Sequence, residues 1–205
     1  TKSRLLSTCQ GAFENWLHEK LEGIIRVIPP VEQSFDLQLP SGRRYGGRFD
    51  QIVDWNGKLW VRDFKTTSMM GAGFGKRFDP NNQLTGYVWA ASQLSGRRVE
   101  GVMIEVVYNT KTRGPEYHPF LSTRTRNQVD EWVVGIEHEL SVIDGYFQNE
   151  IFPKRTSSCN DFAGCFFRDA CRKDSWYTRQ LWLEESTIES VWDFMNPDKE
   201  VGVRG

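Results

Sequence analysis

No stretch of this 205-residue sequence approaches the roughly 18 consecutive apolar residues a membrane-spanning helix needs, so no membrane span is expected. A charged-then-apolar leader of the secretory kind is also missing, which makes the cytoplasm the expected compartment. The sequence opens at Thr1 rather than Met, so upstream residues are not accounted for. Cysteine is scarce: four residues are few for a secreted disulfide scaffold of this length. A basic excess, the usual footprint of nucleic-acid binding, is lacking too, since the net charge is only −1. There is no internal repeat and no low-complexity tract.

What is present is the composition of an ordinary globular protein, 39% hydrophobic and 26% charged. The length suits one domain with a sizeable core over 1–205. The charge is spread unevenly. Basic pairs recur at Arg43-Arg44, Lys76-Arg77, Arg97-Arg98, Lys154-Arg155 and Arg172-Lys173, with Lys111, Arg113, Arg124 and Arg126 between them. Most of these suit a solvated, mixed surface. The cysteines are lopsided: Cys9 stands alone, while Cys159, Cys165 and Cys171 crowd one polar stretch, as metal ligands do more often than disulfides.

Residues from about Lys2 to Leu21 have helical spacing, ended by Gly23 and Pro29-Pro30. Strand-like runs follow at Val31–Leu39, Arg44–Trp55 and Lys58–Thr67. Asn56-Gly57 between the last two is a strong hairpin signal. Gly71-Ala72-Gly73-Phe74-Gly75 lacks the ending and context of a phosphate loop and reads as a flexible connection. A helix is expected over about Pro80–Leu94, closed by Gly96. Strands at Val99–Tyr108 and about Glu116–Leu121, a long helix over Thr125–Gln148, and a final helix over about Trp176–Phe194 complete the chain. This order implies a mixed α/β fold, a central β-meander sheet flanked by helices.

The hairpin serves as a ruler. If Asn56 and Gly57 form the loop, opposed residue numbers share one sum and Asp50 faces Asp63 across the strands. Two carboxylates at that separation repel unless a cation sits between them, and a hard divalent ion suits the position. Alternation puts Lys65 beside Asp63, with Phe64 turned toward packing. Asp63 and Lys65 would both lie on an exposed polar face. Two carboxylates and an ammonium in one patch suit phosphodiester hydrolysis, in which a metal polarises the phosphoryl oxygen and acidifies water. An Asp-x-Lys pair alone reads as a solvated strand face, and a one-residue slip of register would destroy the alignment.

Gly47-Arg48-Phe49-Asp50, Asp63-Phe64-Lys65-Thr66 and Gln83-Leu84-Thr85-Gly86-Tyr87 together resemble the RecB-like branch of the PD-(D/E)xK nucleases, which includes phage exonucleases and CRISPR-associated iron–sulfur nucleases. The motifs stand in family order and cover roughly residues 44 to 95. The resemblance implies a restriction-endonuclease-like core and a Mg²⁺- or Mn²⁺-dependent deoxyribonuclease. An exonuclease acting on DNA ends or single strands is implied ahead of an endonuclease, and a phage or viral origin fits it. Asp50 and Asp63 would bind metal, the Phe64 carbonyl would add a ligand, and Lys65 would be the catalytic cation. Gln83 and Tyr87 would lie beside the site and contact the DNA backbone.

His18-Glu19-Lys20-Leu21-Glu22 is similar to the family's His-x-x-Leu-Glu, which makes His18 a third metal ligand, with Glu14 one turn earlier as the alternative. AddB-type and CRISPR-associated members place one cysteine before the core and three after it around a 4Fe-4S cluster. Cys9 with Cys159, Cys165 and Cys171 matches that split, so residues 1–22 and 151–205 would pack together. The spacing departs from the family's Cys-x2-Cys-x5-Cys, because both gaps here hold five residues, and zinc remains an alternative. Two other readings stay open: a DNA-binding or assembly module on a nuclease scaffold without turnover, and a zinc-stapled structural protein. No recombination or replication partner can be named from the sequence.

Overall fold

The computed structural model describes residues 25–109, 116–154, 156–160 and 164–187. The expected N-terminal helix, with Cys9, Glu14 and His18, lies outside the described residues. The final helix ends at Ser186, with Thr187 extended, short of the expected end near Phe194. The chain divides into two compact units, 1–137 and 138–205.

Among the described residues the first unit holds seven strands: β1 (Ile25–Ile28), β2 (Gln33–Gln38), β3 (Arg44–Phe49), β4 (Gln51–Trp55), β5 (Lys58–Thr67), β6 (Val99–Tyr108) and β7 (Glu116–Thr123). Five form one sheet in the order β1-β4-β5-β6-β7, and β2-β3 form a separate two-stranded sheet. Within the larger sheet β5 and β6 run parallel and every other pair antiparallel, so the sheet is mixed. Helix α1 (Asn82–Ser95) comes between β5 and β6 in the chain and lies against both. Helix α2 (Arg126–Gln148) follows β7. This is the α/β, helix-flanked sheet expected.

Local chemistry explains the boundaries. Asn56 and Gly57 both have positive φ, 53° and 78°, as a type I′ turn demands. The turn sets Trp55↔Lys58, and the ladder then continues through Asp54↔Leu59, Val53↔Trp60 and Ile52↔Val61 to Gln51↔Arg62, the register expected. Asn81 caps α1 by accepting from the Leu84 amide, and left-handed Gly96 (φ 63°) ends it. Thr125 and Gln128 exchange side-chain and backbone hydrogen bonds, a capping box that starts α2.

Three elements differ from expectation. The run from Arg44 to Trp55 is two strands, because the chain changes sheets at Asp50. Ile25–Ile28 is an edge strand paired with β4, where the sequence showed only a helix stop; four residues carry too little pattern, and pairing creates the strand. The glycine-rich connection contains a 3₁₀ turn, Phe74–Phe78, whose two buried phenylalanines pack on Phe120, so it is anchored rather than loose.

Behind the sheet, Val53, Trp60 and Met103 make a core cluster flanked by Ile25 and Trp55. On the α1 side, Leu84 and Val88 are buried, each contributing about 1.5–3 kcal/mol of apolar burial. Tyr45 packs edge-on to Trp89 and Trp132, and its hydroxyl sits so near Gly86 that any Cβ there would collide with it. Burial, with Tyr87 adding to it, pushes the Tyr45 phenol up to about 12. An unfolded tyrosine ionises near ~10. Between those values the unfolded chain loses a proton the folded protein keeps, so stability falls as pH rises from about 10 to about 12. Urea melts over that range are expected to show a shallower decline in Tyr45→Phe; equal declines would contradict this burial.

In the second unit α3 (Arg168–Arg172) and α4 (Trp176–Ser186) follow the end of α2. Ser175 and Thr178 form the capping box that starts α4. No described helix is long and apolar enough to cross a membrane.

Candidate active site

Asp50 sits at the bend where β3 ends and β4 begins, one residue beyond the last pair of the β4–β5 ladder. Its Oδ2 accepts the Phe64 amide at 2.7 Å, so the carboxylate lies against β5 between Asp63 and Lys65. Strand alternation gives β5 two unlike faces. Asp63 and Lys65 share one, with Lys65 Nζ 3.2 Å from Asp63 Oδ1 and 2.9 Å from Oδ2. Arg62 and Phe64 share the other, and the guanidinium lies 5.0 Å from the ring centroid. Glu105, the register partner of Phe64, is on that second face and pairs with Arg62 at 3.3 Å. That carboxylate is therefore turned away from Asp63. Burial raises its proton affinity, and the Arg62 charge pulls it back.

Asp63 is not on an exposed face, as the sequence suggested, but 3% exposed. Alternation names the face of a strand and says nothing about what covers it. Burial raises the Asp63 carboxyl above the usual range; Lys65 opposes this shift and the Asp50 charge adds to it. Oδ2 of Asp63 is buried without a hydrogen-bond partner, its contact with Lys65 being an ion pair only. Two neighbouring carboxylates, one with an oxygen held only by an ion pair, are a donor set that fits a hard divalent cation. The structure thus brings Asp50, Asp63, the Phe64 backbone and Lys65 together.

Helix α1 adds two further residues. Gln83 Nε2 donates to the Tyr87 hydroxyl at 3.1 Å, one turn along the helix. Burial raises the Tyr87 phenol, and the charge of Asp63 raises it further. Tyr87 is therefore within electrostatic reach of the carboxylates, and Gln83 is exposed beside it. The ring of Tyr87 stands edge-on to Phe35 and Phe49, which fixes its direction.

Other candidates are not brought to this site. Among the described residues no three His, Cys, Asp or Glu side chains form a group able to hold a metal. Cys159, Cys165 and Cys171 are free thiols, the last two exposed, and they do not form such a group. Cys9, His18 and Glu14 fall outside the described residues. Sequence reasoning did not single out Arg124 from the scattered basic residues: it is 3% exposed and fully engaged beside α1. The available signal was position, a charge directly between a strand and a helix cap.

A model of the PD-(D/E)XK nuclease superfamily matches residues 1–172. The chain belongs to this superfamily. In this PD-(D/E)XK chain the matched region contains all of β1–β7, α1 and α2. No curated protein sequence matches it. Among solved structures it is similar to SSO0001, at 18% identity and TM-score 0.33 over 66% of this chain and 61% of that one. It is also similar to a Eubacterium rectale chain named "Putative exonuclease", at 11% identity and TM-score 0.46 over 95% of this chain and 66% of that one. The PD-(D/E)XK chain thus spans less than two thirds of the length of either.

Proposed function

We propose that the protein is a Mg²⁺- or Mn²⁺-dependent nuclease that hydrolyses DNA phosphodiesters. The observation that carries this is the convergence of Asp50, Asp63 and Lys65, with a buried Asp63 oxygen that makes only an ion pair, within electrostatic reach of Tyr87. Asp50, Asp63 and the Phe64 carbonyl would hold the cation, and His18 would complete the set from outside the described residues. When bound, such an ion supplies Lewis acidity toward a phosphoryl oxygen and makes water a better nucleophile. Lys65 holds a positive charge beside Asp63, where it offsets charge developing on the phosphate and orients the attacking water. Gln83 offers an exposed amide and Tyr87 a phenol, both suited to the DNA backbone.

The resemblance favours exonucleolytic action on ends or single strands in the cytoplasm. Incubation of end-labelled single- and double-stranded DNA with and without Mn²⁺ tests both parts. Mononucleotides released only with the metal are expected; a ladder of internal cuts would replace exonuclease by endonuclease. Absence of any cleavage would favour the non-catalytic scaffold.

The same reading assigns Cys9, Cys159, Cys165 and Cys171 to a 4Fe-4S cluster. Its support is the family resemblance and three free thiols in one short segment, although these do not yet form a ligand group among the described residues. No catalytic step is assigned to it. Protein purified without oxygen is expected to be brown, with absorbance near ~400 nm that Cys165→Ser abolishes. A colourless protein holding one zinc ion would replace iron by zinc and leave the nuclease reading standing.

A further inference from the structure

Arg124 closes β7, and its guanidinium touches three parts of the fold at once. Nε donates to Thr85 Oγ1 at 2.8 Å. Nη1 donates to Ser122 Oγ at 2.6 Å and to the Thr123 carbonyl at 2.8 Å. Nη2 donates to the Phe78 carbonyl at 2.9 Å, which Ser122 Oγ also reaches at 3.1 Å. Asp79 Oδ1 lies 3.6 Å from Nη1. Thr85 Oγ1 passes the connection on by donating to the Asn81 carbonyl at 2.9 Å, and Asn81 caps α1.

The consequence is geometric. One planar cation ties the end of β7, the last residue of the 3₁₀ turn and the first turns of α1. Thr85 is buried on α1 between exposed Gln83 and half-buried Tyr87, so the tie holds the stretch of helix that carries both. For stability alone a buried cation is a poor choice, since an apolar residue of similar volume does as well. What the guanidinium adds is direction, because its fork fixes several acceptors at set angles.

We propose that Arg124 is a positioning residue: through Thr85 it sets the orientation in which α1 presents Gln83 and Tyr87 to a DNA strand at Asp63 and Lys65. This rests on the reading of Gln83 as a backbone contact. The test is Thr85→Val, which removes the acceptor on α1 while leaving Arg124 its bonds to Ser122, Thr123 and Phe78. KM and kcat for Mn²⁺-dependent cleavage of end-labelled single-stranded DNA are measured in wild type, Gln83→Ala, Thr85→Val and the double variant.

Gln83→Ala is expected to raise KM about tenfold, as loss of one hydrogen bond to a charged group does. Thr85→Val should raise KM about fivefold, within the coupling range of residues in contact, and change kcat less than about twofold. The double variant should exceed Gln83→Ala only by what Tyr87 contributes, short of the product of the two effects, and Thr85→Ser should restore wild-type KM. Multiplying effects, or wild-type KM in Thr85→Val, would overturn the positioning role alone. An unchanged KM in Gln83→Ala would overturn the backbone-contact reading and this inference with it. If Thr85→Val does not fold, Arg124→Lys replaces it, since a lysine keeps the charge without the fork: the same rise in KM is expected, and wild-type KM overturns the proposal.

Discussion

Asp63→Asn is expected to lower Mn²⁺-dependent cleavage by on the order of 10³-fold or more, because metal-derived charge stabilisation is worth several kcal/mol and each 1.36 kcal/mol is a factor of ten. The change is isosteric, so loss of activity cannot come from lost packing. Asp63 is buried and its raised carboxyl shows that the fold works against the charge. A group raised in this way costs stability above the unfolded carboxylate range, and that cost grows as pH climbs toward the folded value. The metal-free variant should therefore melt no lower than wild type near neutral pH, despite losing the Lys65 pair. Metal dependence of the melt should vanish as well. In wild type, Mn²⁺ at about a hundred times its Kd should add roughly 5–10 °C, and in the variant almost nothing. Cleavage within tenfold of wild type would remove Asp63 from the chemistry.

The second large effect is on stability. Gly101 in β6 is paired with Thr123 of β7, and a Cβ at Gly101 would lie 2.2 Å from the Ser122 carbonyl oxygen and 2.7 Å from the Thr123 Cα. Both are backbone atoms of the neighbouring strand and cannot rotate away. Gly101→Ala is expected to cost about 3 kcal/mol, at the upper end of overpacking penalties, since β7 must move. The displaced stretch runs directly into Arg124, so α1 would loosen too. Gly135→Ala is the control: nothing lies within 4 Å of that Cβ, and an exposed helix position should gain about 0.5–1 kcal/mol. Denaturant melts decide it, and a Gly101→Ala midpoint equal to wild type would mean that β6 and β7 are farther apart than described.

The β4–β5 hairpin was legible in the sequence because Asn56-Gly57 admits few conformations, and its register followed from counting. The switch of sheets at Asp50 was not, since a strand that changes partners keeps the same alternation. Depth escaped as well: Asp63 and Arg124 are both charged, and a single sequence offers no reason to bury either. Arg124 is enclosed by α1 and the 3₁₀ turn, segments distant from it in sequence. Gly101 does carry a sequence signal, since a glycine inside a strand marks a close backbone approach. His18 and Cys9 rest on the resemblance.

The bend at Asp50 has a spectroscopic consequence. The β4–β5 ladder ends at Gln51↔Arg62, and beyond it the Phe64 amide donates to a side-chain carboxylate. A carbonyl acceptor is inert; a carboxylate changes its strength whenever it takes up a proton or a cation. The Phe64 amide resonance is therefore wired to the ionic state of the site by one hydrogen bond. Titrating the protein with a diamagnetic ion such as Mg²⁺ would read occupancy from the backbone itself, with no substrate and no turnover required.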